Sequence, residues 1–96
     1  MKISVSDRVQ VWLQTLSPET KRNIRVALKL LAEGKGDVKS LQRNLEGYYR
    51  LRVGEHRIIF RFTPGKSGPE CFCAFAEARD LVYEQFAAIL SEEGRL

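Results

Sequence analysis

The 96-residue chain is poor in the residues that hold metals and redox groups: it has one histidine and two cysteines. Cys71 and Cys73 are separated by a single residue. That spacing suits neither an ordinary disulfide nor a CxxC redox or zinc pair, and no second ligand pair accompanies it. Reduced, buried thiols are the expected state, and neither metal nor cofactor is expected. Long apolar runs are also missing. None approaches the ~18 residues that cross a bilayer, and the opening MKISVSDRVQVW lacks the apolar centre of a signal peptide. A cytoplasmic protein with no membrane partner is the expectation. Only three prolines occur, with no repeat and no low-complexity tract, so no linker divides the chain. One domain over 1–96 is expected, and its length is enough for a core without disulfides or metal. Hydrophobic content of 44% with 29% charged residues is that of a globular domain.

Acidic residues are the minority, twelve against sixteen lysines and arginines, and the imbalance is local. Met1 to Gly34 carries six basic and three acidic residues, Lys35 to Arg61 seven against three, and Phe62 to the end three against six. The basic middle points to an acidic or phosphate-rich partner.

The spacing of apolar residues sets the elements. Lys2–Val5 can form a short strand. Ser6 reads as an N-cap, with Val9, Trp12, Leu13 and Leu16 at helical spacing behind it. In LSPET, Ser17 is a second N-cap and Pro18 suits the first helical position. Ile24, Leu28 and Leu31, with Ala27, give that helix its apolar stripe, and Gly34 is placed to end it. So short a link predicts an antiparallel helix pair. GKGDVKSLQRNLEG reads as a polar connection whose Leu41 and Leu45 reach the core. The period then changes from 3.6 to 2. Tyr48–Val53 and His56–Thr63 read as a hairpin around Gly54-Glu55, PGKSGP as a second turn, and Glu70–Ala76 as a third strand. From Ala78 a helix is expected, with Val82, Phe86, Ile89 and Leu90 on one face. The predicted architecture is α+β: an N-terminal helix pair packed on a small antiparallel sheet (a short N-terminal strand plus a three-stranded meander), with a C-terminal helix.

The hairpin YYRLRVGEHRIIFRF sets four arginines among fifteen residues. Alternation puts Leu51 and Val53 on one face of the first strand and Arg50 and Arg52 on the other. On the second strand Ile58, Phe60 and Phe62 form an apolar row, and Arg57 and Arg61 flank Ile59 opposite. If the apolar rows meet the helix pair, the four arginines share an open face. Like charges directly opposed destabilise a sheet, so the cluster calls for a counter-charge. Phosphate fits, because the guanidinium fork matches its oxygens and stays charged. Glu55, Glu70 and Glu77 are alternative partners, with the arginine stems covering sheet surface.

Nearly the whole chain, in element order, resembles the RelE/ParE superfamily of bacterial toxins. The specific part is the run from Leu41, LQRNLEGYYRLRVGEHRIIFRF, followed by a strand leading into EARDLVY. Members are the toxin halves of type II toxin–antitoxin pairs: the RelE-like branch cuts mRNA in the ribosomal A site, and the ParE-like branch poisons DNA gyrase. The resemblance implies a RelE-like fold, a cognate antitoxin as partner and mRNA on the ribosome as substrate, with DNA gyrase as the alternative target. It also assigns residues. Arg57, Arg52, Arg79 and Tyr83 are the implied catalytic set, with Arg57 on the scissile phosphate. Arg50 and Arg61, with Lys39 and Arg43 from the basic connection, are implied to hold RNA. The implied reaction is attack of a 2′-OH on the adjacent phosphorus, leaving a cyclic phosphate. It requires a base, positive charge for the phosphorane and an acid for the 5′-oxygen.

The sequence departs from that family at the base. Arg50 and Arg52 stand where ribosome-dependent nucleases often carry lysine, and arginine cannot serve as a base at ordinary pH. Tyr83, Lys39, Glu46 and Glu77 remain as candidates, and His56 beside Arg57 reads first as a packing or surface residue. Tyr83 adjoins the Val82–Phe86–Ile89 stripe and could simply pack there. Trp12, Phe72 and Phe75 read as core. Besides nuclease and gyrase inhibitor, an inactive chain that only binds its antitoxin fits the same residues.

Overall fold

The computed structural model describes residues 1–95. Its elements are β1 (Ile3–Val5), α1 (Asp7–Gln14), α2 (Pro18–Ala32), β2 (Val38–Ser40), a 3-10 turn (Arg43–Leu45), β3 (Tyr49–Val53), β4 (His56–Gly65), β5 (Gly68–Ala78) and α3 (Val82–Glu92). The helix starts form as their sequences dictate. Ser6 accepts from the Val9 N–H and Ser17 from the Thr20 N–H, with Pro18 in the first turn of α2. Gly34, at φ 78, turns the chain out of α2.

The five strands form one sheet in the order β1-β5-β4-β3-β2. Two features differ from the predicted sheet. The edge strand β2 lies inside the segment read as a connection, and β1 runs parallel to β5, so the sheet is mixed rather than wholly antiparallel. The meander β3–β4–β5 is antiparallel as predicted. Its two long strands continue through Pro64 and Pro69, which oppose each other, leaving Lys66-Ser67 as the turn.

Both faces of the sheet are covered. On one, Leu51, Ile58, Phe60, Cys71, Cys73 and Ala76 pack with Val9 of α1 and Ile24 and Leu31 of α2. On the other, Ile59 packs with Leu45 and with Val82, Phe86 and Leu90 of α3, flanked by Leu41 and Phe75. A bulge on β5 serves this second layer. Ile59 pairs with Phe75 and Phe60 with Cys73, which leaves Ala74 without a partner on β4. Ala74 and Phe75, successive in sequence, therefore both join the α3 cluster. The displaced Ala74 carbonyl accepts the Ser6 hydroxyl at 2.9 Å, tying the cap of α1 to the bulge.

Trp12 is half-buried and meets the His56 ring edge-on at 5.5 Å. Phe72 is half-buried beneath the Arg61 guanidinium, 5.2 Å from its ring centre. No helix among the described residues is long and apolar enough to cross a membrane.

Cys71 and Cys73 are both fully buried and unpaired by disulfide. Burial pushes the Cys73 thiol up to about 12, with the neighbouring Cys71 adding to it, and burial raises Cys71 as well. Neither should be a thiolate at neutral pH. We expect a thiol-reactive disulfide reagent at pH 8 to label neither cysteine in the native protein and both after denaturation. Fast native labelling would contradict the packing. Because the folded value lies above the ordinary value near 9, this contribution to stability is complete below about pH 9. It is lost as the pH rises toward the folded value.

Candidate functional site

The register of the sheet places the cations in rows. On the face that carries α3, Lys39 of β2 opposes Arg50 of β3, and Arg50 opposes Ile59 of β4. One row further along, Arg52 opposes Arg57, and Arg57 opposes Glu77. Helix α3 settles on Ile59 at the middle of this face, so the four hairpin arginines do not share one open surface as the alternation predicted. Arg50, Arg52 and Arg57 lie beyond the N-terminal end of α3. Arg61 lies toward its C-terminal end, in a small groove with Phe72, Ile89 and Arg95.

The chain leaving β5 closes the first group. Arg79, Asp80 and Tyr83 join Lys39, Ser40, Leu41, Gln42, Arg50, Arg52 and Arg57 around a depression of about 490 Å³. Six predicted site residues thus come together: Lys39, Arg50, Arg52, Arg57, Arg79 and Tyr83. Two do not. Arg61 is in the separate groove, and Arg43 opens the 3-10 turn, exposed, at φ 57. The base candidates separate in the same way. Tyr83 and Lys39 line the depression, whereas Glu46 and Glu77 do not. His56 packs on Trp12, on the face of the helix pair, with its back to the arginines. The Glu77 carboxylate accepts from the Ala78 N–H at 2.9 Å.

Five cations and one carboxylate line the depression. Their partners differ. Arg50 is held: its Nη1 donates to the Asp37 carbonyl at 2.8 Å and to Asp37 Oδ1 at 3.0 Å, and its side chain is only 16% exposed. Arg52, 55% exposed, lies 4.0 Å from Asp37 Oδ2. Arg79 pairs with Glu55 at 3.1 Å and reaches Asp80 at 3.7 Å, across exposed surface where such pairs contribute little. Arg57 stands apart. Its Nη1 donates to the carbonyls of Gly54 and His56, both at 2.9 Å, and among the described residues it has no carboxylate partner. Arg52 and Arg57, directly opposed in the sheet, are the pair with charge left to meet an incoming anion. Helix α3 starts at the rim, and its N-cap Leu81 offers no side-chain acceptor, so first-turn N–H groups add to the positive potential there.

Asp37 is the residue the sequence reading passed over. The Arg50 hydrogen bond holds its carboxyl below the usual value, and the charges of Arg50, Arg52 and Arg57 act in the same direction. The one signal available was its position behind Gly36 in GKGD, where a turn could return a carboxylate to the strand.

The depression supplies fixed positive charge at close quarters, with the Tyr83 hydroxyl, the Lys39 amine and the Asp80 carboxylate beside it. That combination suits a phosphodiester rather than a carbonyl or a small apolar substrate.

No family model and no curated protein matches the chain. Solved structures do. The YoeB/ParE toxin from Agrobacterium tumefaciens is similar with a TM-score of 0.64 at 19% identity, covering 82% of this chain and 99% of that one. A chain of the toxin–antitoxin complex RelBE2 from Mycobacterium tuberculosis gives 0.66 at 19% identity, covering 81% and 96%. One from the archaeal RelE–RelB complex of Pyrococcus horikoshii gives 0.61 at 21% identity, covering 81% and 93%. This chain has the fold of RelE/ParE toxins, as the resemblance of its hairpin implied.

Proposed function

We propose that this chain is the toxin of a type II toxin–antitoxin pair and that it cuts mRNA on the ribosome, in the cytoplasm, through the depression at the N-terminal end of α3. The observation that carries the reading is the convergence there of Lys39, Arg50, Arg52, Arg57, Arg79 and Tyr83 from four separate segments. The likeness to toxin folds supports it, and so does the pairing of two of those relatives with RelB-type partners. A cognate antitoxin is accordingly the expected partner.

The residues divide the work by chemistry. The 2′-oxygen forms a bond to phosphorus while the bond to the 5′-oxygen breaks, and negative charge grows on the phosphoryl oxygens between. Arg52 and Arg57 are placed to meet that charge, and fixed donors act most strongly where charge develops. Arg79, with exposed carboxylate partners it can leave, holds the flanking backbone. Arginine does not exchange protons at working pH. Tyr83 and Lys39, the base candidates that line the depression, are assigned the proton leaving the 2′-OH and the one arriving at the 5′-oxygen. Arg50 and the separate Arg61 groove extend the backbone contact.

A second reading, a toxin that binds DNA gyrase without chemistry, is favoured by one observation: Arg50 and Arg79 already have carboxylate partners. Induction in a bacterium separates the two. The nuclease reading predicts arrest of growth and of protein synthesis, relieved by the antitoxin, with new mRNA 5′ ends inside codons at the ribosomal A site. Filamentation and DNA-damage signalling over intact messages would give the gyrase reading. Normal growth with soluble protein present would count against both.

A further inference from the structure

We propose that Asp37 is a positioning residue for the depression: it clamps Arg50 so that the guanidinium presents three free donors in a fixed direction. The inference rests on the nuclease reading for its purpose, and on geometry alone for its existence.

A guanidinium has five N–H donors, two of them on each terminal nitrogen. Arg50 Nη1 makes two hydrogen bonds, both to Asp37, one to the backbone carbonyl and one to Oδ1. Both hydrogens of that nitrogen are therefore engaged, which leaves those on Nη2 and Nε. The same carbonyl of Asp37 also accepts the Arg52 N–H at 3.0 Å. The clamp is thus tied to the ladder of β3 and cannot drift away from the strand that carries both arginines. The second carboxylate oxygen lies toward Arg52, at 4.0 Å.

The approach of Asp37 has its own cause in the sequence. Gly36 has φ 120, and a Cβ there would stand 3.0 Å from Leu51 Cδ1. Only glycine allows the turn to fold down against the buried Leu51, and that closeness brings the next residue, Asp37, over Arg50. Arg50 is 16% exposed and Arg52 55%. Arg50 is the pre-set member of the pair and Arg52 the more exposed one. An isolated surface ion pair would have little effect. A half-buried arginine held at two points loses little freedom when an anion arrives, and this is how fixed donors outperform mobile ones.

The test compares the parent with Asp37→Ala and Asp37→Asn. One readout is single-turnover cleavage of a short mRNA on programmed ribosomes. The other, independent of activity, is the pair of Arg50 Nη1–H signals in NMR spectra of the free protein, the hydrogens that Asp37 engages. We expect Asp37→Ala to lower the single-turnover rate constant by roughly tenfold or more with the half-saturating ribosome concentration little changed, the pattern of lost orientation rather than lost binding. Asp37→Asn keeps an oxygen acceptor and should recover most of that loss, which a merely structural gap would not. The Arg50 Nη1–H signals should be resolved and slow to exchange in the parent and broadened in Asp37→Ala, which loses the Oδ1 bond. Cleavage by Asp37→Ala at the parental rate or faster would overturn the proposal, because the carboxylate would then be only a competitor of phosphate. If the parent itself cleaves nothing, the nuclease reading fails. The clamp is then decided by NMR alone: loss of the Arg50 Nη1–H signals in Asp37→Ala upholds it, and unchanged signals overturn it.

Discussion

Arg57→Ala should lower the cleavage rate by ~10²–10³, about 3–4 kcal/mol of barrier, which is the usual cost of removing one donor aimed at developing charge. The residue is singled out by what it lacks. Arg50, Arg52 and Arg79 each lie within 4.0 Å of a carboxylate, whereas Arg57 is anchored to two backbone carbonyls. Its charge is not cancelled locally, yet its position is fixed, and these two properties rarely occur together on a surface. The carbonyls of Gly54 and His56 that it releases lie in an exposed hairpin where water can replace it, so stability should fall by about 1 kcal/mol or less. Measured at equal soluble expression, Arg57→Ala should be non-toxic with a melting temperature within a few degrees of the parent. A variant as toxic as the parent would remove Arg57 from the chemistry and shift the weight to the gyrase reading. Arg52→Ala should slow cleavage too, and it should show a second effect. It should weaken RNA binding and flatten the dependence of affinity on salt, since one phosphate contact contributes about one unit of slope.

Local signals carried most of the fold. The serine caps, the proline at the start of α2, the change of period at Tyr48 and the apolar stripe of α3 are all features of neighbouring residues, and the structure forms each of them. The differences are long-range. The residues of β2, Val-Lys-Ser, are all exposed and offer no alternation to read; its pairing with β3 is what makes it a strand. The parallel pairing of β1 depends on contact with β5, some seventy residues away, and nothing within Ile3–Val5 encodes it. The bulge at Ala74 hides inside CAFA, an apolar run with no alternation to break. The site was legible to a similar depth. Period-2 alternation put Arg50, Arg52, Arg57 and Arg61 on one face correctly. It could not show that Ile59, apolar in that same row, is where α3 docks, so Arg61 was grouped with residues from which the helix separates it. Asp37 was missed for the complementary reason: it matters through a glycine turn whose geometry the residue letters do not give.

Docking of α3 is also where stability and function meet, and Phe86→Ala should show both at once. Phe86 is 3% exposed. Its ring meets Tyr48 edge-on at 4.9 Å and lies stacked on Phe75 at 5.9 Å. Truncating a buried phenylalanine costs about 3–5 kcal/mol through lost burial and the cavity left behind. Much of the 5–15 kcal/mol typical of a whole domain would be gone, and the melting temperature should fall by more than about 12 °C. The loss should be uneven. The helix-pair layer around Phe60, Leu51 and Ile24 contains no atom of α3, so it has no direct reason to loosen. The α3 layer, with five buried residues among those described, should open first. Hydrogen exchange can resolve this: amides of Val82–Glu92 should lose protection by far more than those of Ile58 and Phe60. Activity should fall with α3, because Tyr83 sits one turn from Phe86 and lines the depression from the same helix. Uniform loss of protection over both layers would mean that the two cores unfold as one unit, and that α3 has no independent hold on the site.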